Sequence, residues 1–220
     1  VYARSFGRDV GEAYFRWKYL EGPAGPVVSF VARKEGRIAA FYGVLPERYT
    51  VDGEPAIIHQ YMDTMTHPEH RGKGLFPRFA RATCAHIQET TGKLHLIGYP
   101  GPTSINGFTQ KLGWQCLVEM SYSFIYPWAF RVSNTLREKV DVEVCSVDAE
   151  DPVLDAYFMI RRAQDRPIAK VVDKEVLLWR TFGHPTIAYK HLLVVLNGAG
   201  IGMCVYRTEA DGRAFILWLD

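Results

Sequence analysis

The sequence lacks paired cysteines and long apolar runs. Its four cysteines stand far apart, without the close spacing of zinc sites or of a secreted disulfide framework, at Cys84, Cys116, Cys145 and Cys204. No apolar run approaches the ~20 residues of a membrane-spanning helix, and no basic-then-apolar signal sequence opens the chain. These absences predict a reduced, cytoplasmic setting with no metal and no membrane partner.

An excess of one charge is missing as well. The net charge is +2 with a pI near 8.3, which is too close to balance to favour a nucleic-acid partner. A hydrophobic fraction of 48% predicts a buried core. The chain begins at Val1 instead of a methionine and stops at Asp220 directly after a strand-like run. We therefore expect it to be a piece of a longer protein.

The first half alternates strand-like and helical patterns. Two glycine turns, at Glu35-Gly36 and Asp52-Gly53, separate β-rich runs and predict an antiparallel meander. Apolar residues at helical spacing then predict a helix over 75–91. Further along we expect a strand at 94–99, a helix at 104–112 and a strand at 115–126. This order predicts an α/β domain with a mostly antiparallel sheet.

The stretch Arg71-Gly72-Lys73-Gly74 joins the last meander strand to that helix. Two glycines spaced by one residue let backbone N–H groups turn inward, and the start of a helix presents unpaired amides. Arg71 and Lys73 add positive charge, which favours a diphosphate over a single carboxylate. The loop therefore predicts an anion site.

With this loop the sequence resembles the GNAT acetyltransferases, whose signature is Gln/Arg-x-x-Gly-x-Gly/Ala. Here it reads Glu69-His70-Arg71-Gly72-Lys73-Gly74, and only the acidic Glu69 departs from it. The likeness extends over roughly residues 6–126 and includes these stretches: Trp17-Lys18-Tyr19, Pro23-Ala24-Gly25, Leu45-Pro46, Tyr99-Pro100 and Lys111-Leu112-Gly113-Trp114. The resemblance implies a GNAT acyl-CoA acyltransferase fold that transfers an acetyl group from acetyl-CoA to an amine.

The resemblance also implies which residues bind acyl-CoA. Backbone groups of Met65, Thr66 and His67 are expected to pair with the pantetheine where two strands splay apart. The pyrophosphate role falls on Arg71, Gly72, Lys73, Gly74, Leu75 and Phe76.

For catalysis we expect Asp63 as general base, because it is the only carboxylate on the strand that leads into the loop. The alternative for Asp63 is a structural role, in which it accepts hydrogen bonds and shapes the strand end. Many family members have a tyrosine as general acid where this sequence has Thr109. Tyr99 or Tyr122 could take that role.

The second half repeats landmarks of the first. Trp17-Lys18 and Trp179-Arg180 are followed at equal distances by Pro23 and Pro185, and later by Gly36 and Gly198. An internal duplication explains these matches better than two unrelated strand-rich segments. We therefore predict a GNAT domain at residues 1–130 and a partial second GNAT-like domain at 131–220.

Other functions remain as alternatives. One alternative is a regulator that binds acyl-CoA without catalysis. It would explain why Thr109 stands in place of the usual tyrosine and why the sequence has no second phosphate loop. An aminoacyl-tRNA-dependent peptide-bridge transferase ranks lower, since it would not need an intact loop. His67 and His70 lack the His-Glu-x-x-His spacing of a metal site, and neither a P-loop nor a Rossmann fingerprint is present.

Overall fold

The computed structural model describes residues 2–7, 9–120, 142–160 and 166–219. These residues divide into two compact units. Unit 1 comprises Val1–Leu117 with Gln164–Val171, and unit 2 comprises Val118–Ala163 with Val172–Asp220. The predicted boundary at residue 130 lies outside the described residues and stays a prediction. Within the described ranges, no helix has the length and apolar character needed to cross a membrane.

Unit 1 is a mixed five-stranded sheet with helices. Its elements are α1 (Tyr2–Phe6), α2 (Glu12–Tyr19), β1 (Val28–Lys34), β2 (Arg37–Val51), β3 (Glu54–Thr66), α3 (Leu75–Thr91), β4 (Leu96–Gly98), α4 (Ile105–Leu112) and β6 (Ile168–Lys170). The strands lie in the order β1-β2-β3-β4, antiparallel except for the parallel pair β3–β4. The predicted fold class, a mostly antiparallel mixed sheet flanked by helices, is confirmed.

Two turns set the register of the meander. Glu35 and Gly36 have φ of 50° and 77°, and Asp52 and Gly53 have φ of 50° and 85°. Positive φ at both central residues is the type I′ geometry, whose twist matches that of paired strands. The two turns therefore lie where the sequence predicted them, and β1, β2 and β3 follow as one continuous meander.

The core of unit 1 lies between the sheet and two helices. Alternate residues of β2 and β3 place Tyr42, Val44 and Tyr61 on one face, where they pack against residues of α3 and α4. The helical partners are Ala80, Ile87 and Phe108. This packing fixes the start of α3 relative to the end of β3. The predicted anion loop, Arg71-Gly72-Lys73-Gly74, joins these two elements.

The sheet also contains a strand that the sequence did not predict. The short β6 pairs antiparallel with the far end of β2, at Tyr49–Val51. Lys170 of β6 forms an ion pair with Glu47, whose side chain is only 6% exposed. Taking a carboxylate out of water is costly unless a partner compensates it, so Lys170 stabilises both the carboxylate and the docked segment.

Only part of the predicted strand at 115–126 lies within the described residues. Residues 115–120 are described and contain no strand, so the prediction is wrong over that part. Residues 121–126, with Tyr122, lie outside the described residues.

Unit 2 contains a second antiparallel sheet. Its elements are β5 (Val142–Ser146), α5 (Pro152–Ile160), α6 (Lys174–Leu177) with a π-helical turn (Leu178–Phe182), β7 (Lys190–Leu196), β8 (Ala199–Thr208) and β9 (Ala214–Leu219). The strands lie in the order β5-β7-β8-β9. Asn197 and Gly198 have φ of 50° and 78°, the same geometry as Glu35 and Gly36. Unit 2 thus also contains a helical segment followed by a three-strand antiparallel meander. That it is a partial second GNAT-like domain stays a prediction.

The Lys170–Glu47 pair leads to a stability prediction. Lys170→Met leaves a buried carboxylate without its cation, so we expect β6 to open more easily by about 2 kcal/mol. The readout is hydrogen exchange at the Val171 amide, which donates to the Arg48 carbonyl oxygen at 2.9 Å.

The matched control is Lys174→Met, which removes a more exposed ion pair with Asp155 and should change stability by less than about 1 kcal/mol. Adding Glu47→Gln to Lys170→Met should restore part of the protection. Unchanged protection at Val171 in Lys170→Met would contradict the assigned role.

Candidate functional site

The anion loop forms the start of α3 as predicted. A short 3₁₀ turn (Pro68–His70) leaves β3, and Gly72 and Gly74 then take positive φ of 74° and 67°. Gly74 is the N-cap of α3, a helix of 17 residues. A Cβ atom added to either glycine would meet nothing within 4 Å. The glycines are therefore needed for backbone conformation, and the space in front of them is open to a ligand.

The loop keeps its positive charge uncompensated. Arg71 Nε donates to the Thr66 carbonyl oxygen at 3.3 Å, and Lys73 Nζ lies 3.2 Å from His70 Nδ1. No described carboxylate forms an ion pair with either Arg71 or Lys73, and both residues are exposed. Two cations beside the free amides of a helix start are the kinds of group that bind phosphate in proteins.

A split in the sheet opens beside this loop. β4 pairs with β3 only from His59 to Tyr61, whereas β3 runs on to Thr66. Within β3, Asp63 and Thr64 lie opposite the single residue Tyr42, which is a β-bulge, and Asp63 has φ of 47°. From Met62 onward, the edge of β3 on the side of β4 is therefore without a described strand partner.

The hydrogen-bond pattern of β3 decides which of its backbone groups face that open edge. The His67 amide donates to the Ala39 carbonyl oxygen at 2.8 Å, so its N–H is used within the sheet. Antiparallel ladders alternate, so the polar groups of Met65 also point toward β2 and those of Thr66 point away. Of the three predicted pantetheine partners, Thr66 is the one that presents its N–H to the open edge.

The side chains of Leu75 and Phe76 lie at the first turn of α3. Phe76 packs edge-on against Phe108, with ring centroids 5.1 Å apart, and also contacts Tyr42. Its side chain is thus part of the core, so only its backbone amide is left for a ligand. Leu75 is half-buried, at the first helical position.

Asp63 belongs to a compact polar cluster. Its Oδ2 atom accepts a hydrogen bond from the Tyr19 hydroxyl at 2.6 Å and lies 2.5 Å from Lys18 Nζ. The Asp63 and Lys18 side chains are 16% and 19% exposed. Both partners come from α2, so the aromatic helix at the N-terminus is tied to the bulge of β3. Neither partner was among the predicted site residues, although both lie in the Trp17-Lys18-Tyr19 stretch.

The cluster shifts the ionisation of its members. Burial acts to lower the pKa of Lys18, but the charge of Asp63 and the hydrogen bond to it outweigh burial and raise that pKa above its ordinary value. Burial, reinforced by the Asp63 charge, raises the pKa of Tyr19 well above its usual range. Lys18 is therefore an ammonium and Tyr19 a neutral hydroxyl near neutral pH.

The candidate acids and metal ligands are placed as follows. Thr109 Oγ1 donates to the Ile105 carbonyl oxygen of its own helix at 3.1 Å. Tyr99 follows β4 and is 56% exposed. His67 Nδ1 lies 3.9 Å from a Glu69 carboxylate oxygen, and no group of three metal-binding side chains occurs among the described residues. Tyr99 thus lies directly after the strand whose end opens the split.

Comparison with known proteins agrees with this geometry. The family model of the acetyltransferase (GNAT) domain matches residues 1–117, which contain the loop, the split and Asp63. The chain belongs to this GNAT family. A search of curated proteins finds no match.

Solved structures share the fold of this GNAT chain at low sequence identity. A probable N-acyltransferase of Enterococcus faecalis V583 has 14% identity and a TM-score of 0.67, and the alignment covers 100% of this chain and 54% of that one. A GCN5-related N-acetyltransferase of Anabaena variabilis has 14% identity and a TM-score of 0.56, with 98% and 53% covered. Saccharomyces cerevisiae N-myristoyltransferase with bound myristoyl-CoA has 11% identity and a TM-score of 0.54, with 94% and 53% covered. This chain thus spans about half the length of each.

The pair between Lys18 and Asp63 gives a pH-dependent prediction. Asp63→Asn removes the charge that raises the pKa of Lys18 and leaves the burial that lowers it, so this pKa should fall below 10.5. In the native chain the folded-state pKa lies above the unfolded value. The stabilisation is therefore complete below pH 10.5 and is lost as the pH rises through the folded-state pKa.

Carbon NMR of the lysine ε-methylene groups measures this shift directly. Asp9→Asn is the control, because Asp9 is an exposed carboxylate of the same unit. A Lys18 pKa that is the same in native protein and in Asp63→Asn would show that Asp63 does not hold the ammonium.

Proposed function

We propose that this chain carries an acyl-CoA-dependent N-acyltransferase site, with acetyl-CoA as donor and an amine as acceptor. The supporting observation is the juxtaposition of two features: an uncompensated cationic loop at the start of α3, and the open edge of β3 next to it. A diphosphate and an extended amide-bearing arm are the two parts of CoA that such a surface would bind. The cytoplasmic setting and the lack of nucleic-acid or membrane partners remain predictions of the sequence.

In this proposal the diphosphate lies against the backbone amides of residues 72–76, with Arg71 and Lys73 at its flanks. The pantetheine arm runs along the open edge of β3 as an additional strand and takes its main hydrogen bonds from Thr66. Met65 and His67 lie beside the arm without donating to it, because their amides point toward β2. The thioester then lies near the bulge, which brings its carbonyl carbon toward Asp63.

The proposed reaction needs a proton acceptor for the amine. A protonated amine gives one proton to Asp63, directly or through one water, and its lone pair attacks the thioester carbonyl carbon. The N–C bond forms and the C–S bond breaks. The CoA thiolate leaves and takes up the second proton that the amine nitrogen loses. Lys18 and Tyr19 both contact Oδ2, so Oδ1 is the Asp63 oxygen that faces no described donor and is left for the substrate.

The same contacts favour a second candidate function, a regulatory domain that binds acyl-CoA without turnover. A carboxylate that already has an ammonium at 2.5 Å and a hydroxyl at 2.6 Å is well suited to tie α2 to β3. Thr109 also bonds to its own helix instead of facing a substrate. Turnover of acetyl-CoA over a panel of amines separates the two functions. A peptide-bridge transferase would instead require aminoacyl-tRNA as donor.

The loop assignment is tested with Gly72→Asp. The new side chain adds strain at a positive φ and a negative charge where the diphosphate approaches, so the Kd for CoA should rise by at least about tenfold, which is about 1.4 kcal/mol. Calorimetry with CoA measures it. Gly53→Asp is the matched control, since Gly53 also has a positive φ and open space but lies in the β2–β3 turn. Equal affinity in a folded Gly72→Asp protein rules out this loop.

The role of Asp63 is tested by kinetics. If Asp63 is the general base, Asp63→Asn should lower kcat by about a hundredfold or more and leave the CoA affinity unchanged. Tyr19→Phe removes one hydrogen bond and leaves the carboxylate, so its effect should be much smaller. Loss of CoA binding or of folding in Asp63→Asn supports the structural role. Unchanged turnover removes Asp63 from the mechanism.

A further inference from the structure

Unit 2 contains a cavity that the proposed acyltransferase site does not use. Its volume is about 670 Å³, and it lies among the end of β5, the π-helical turn and the first residues of β7. Every lining residue belongs to unit 2. Its polar lining includes Asp148, Thr181 and His191, and its aromatic lining includes Phe182, Tyr189 and Tyr206.

His191 is held rigidly in the wall of this cavity. The residue is only 7% exposed, and its imidazole stacks on the Phe182 ring with centroids 3.7 Å apart and planes within 7°. Its Nε2 atom lies 2.7 Å from Thr181 Oγ1, and Thr181 is 2% exposed. A buried ring with a stacked face and a short hydrogen bond has one orientation, so its second nitrogen has a fixed direction.

The hydrogen bonds also fix which ring nitrogen carries the proton. The Thr181 hydroxyl donates its hydrogen to the Leu177 carbonyl oxygen at 2.8 Å. Its oxygen can then only accept from His191, so Nε2 must be the nitrogen that bears hydrogen. Burial lowers the pKa of His191 to about 4, against a smaller opposing effect of Asp148. The ring is therefore neutral near pH 7, and Nδ1 carries a lone pair.

That lone pair has no partner within the described chain. None of the described donors forms a hydrogen bond with Nδ1, although His191 is more than nine-tenths buried and lines the cavity. Nδ1 is thus an acceptor that is open to the cavity, although the rest of the ring is buried. A ligand with an N–H or O–H group can take the place of water there.

The charged groups around the cavity favour an ammonium over a hydroxyl. Asp148 places a carboxylate in the lining, close enough to influence His191 electrostatically. Lys190 also lines the cavity, but its Nζ lies 5.8 Å from the centroid of the Tyr206 ring, so that ring face is already occupied. Lys190 and its cross-strand partner Tyr206 lie on the face of the strands opposite to His191, so Asp148 is the charged group that acts on His191. His184 uses its Nδ1 to accept from the amides of Thr186 and Ile187.

We propose that this cavity of unit 2 is a second binding site, for small primary amines. One N–H of the ammonium donates to His191 Nδ1, and the Asp148 carboxylate balances its charge at the rim. The alkyl part of the ligand lies against the aromatic lining. The site requires no acyl-CoA, so its existence does not depend on the proposed transferase activity.

The native chain can be tested directly by nitrogen NMR of the histidine rings with n-butylamine at neutral pH. We expect the His191 ring to show hydrogen on Nε2, and the Nδ1 resonance to move in a saturable manner as butylammonium is added. Butyltrimethylammonium has the same charge but no N–H, and butan-1-ol has a donor but no charge. Both should shift Nδ1 far less than butylammonium does.

Variants test the same site by affinity. His191→Gln and Asp148→Asn should each weaken butylammonium binding by about tenfold. His95→Gln, the same change at an exposed histidine of unit 1, should leave binding unchanged. If His191→Gln does not fold, the exposed Asp148→Asn and the native titration still decide the matter. Hydrogen on Nδ1, no saturable shift, or equal binding of butyltrimethylammonium or butan-1-ol would each overturn the proposal.

Discussion

The loss of strand pairing at the end of β4 is the constraint on which the candidate site depends. From His59 to Tyr61, β3 has partners on both sides. Beyond Tyr61, β2 is its only described partner, and the bulge at Asp63 and Thr64 changes the direction of its side chains. An unpaired strand edge is a template for another extended chain. The same residues that end the sheet therefore create the surface on which the proposed acyl-CoA arm would lie, directly before the cationic loop.

The cations of the loop are exposed, whereas the carboxylate at the bulge of β3 is largely buried and paired. At the loop, Arg71 and Lys73 stay exposed with no described carboxylate, which leaves the site attractive to a diphosphate. At the bulge, Asp63 is largely buried, and Lys18 and Tyr19 compensate it. Uncompensated charge on an exposed loop costs little because water solvates it, whereas a buried carboxylate needs partners. The charge of the proposed anion site is thus left to water, whereas packing holds the Asp63 cluster together.

The two units share a framework but differ in their polar interiors. The type I′ turns at Gly36 and Gly198 and the strands that flank them recur at the same separation in sequence. At that separation Tyr19 corresponds to Thr181. Tyr19 binds the Asp63 carboxylate, whereas Thr181 orients the His191 ring. Backbone requirements explain why the turns persist, since few residues other than glycine accept those φ values. Side chains between the turns are free of that restriction, which explains how the second unit holds a different cavity.

The sequence by itself determined the features that depend on local backbone chemistry. Glu35-Gly36 and Asp52-Gly53 predicted the meander turns, and Arg71-Gly72-Lys73-Gly74 predicted a helix start with free amides. Both predictions follow from allowed φ values and helix geometry. Only the tertiary structure decided the rest. The docking of β6 through Lys170, the contact of Lys18 and Tyr19 with Asp63, and the orientation of His191 all join residues distant in sequence. A local sequence pattern does not specify such contacts. Many side chains of the same type could form them, and only the packing of the folded chain brings one particular pair together.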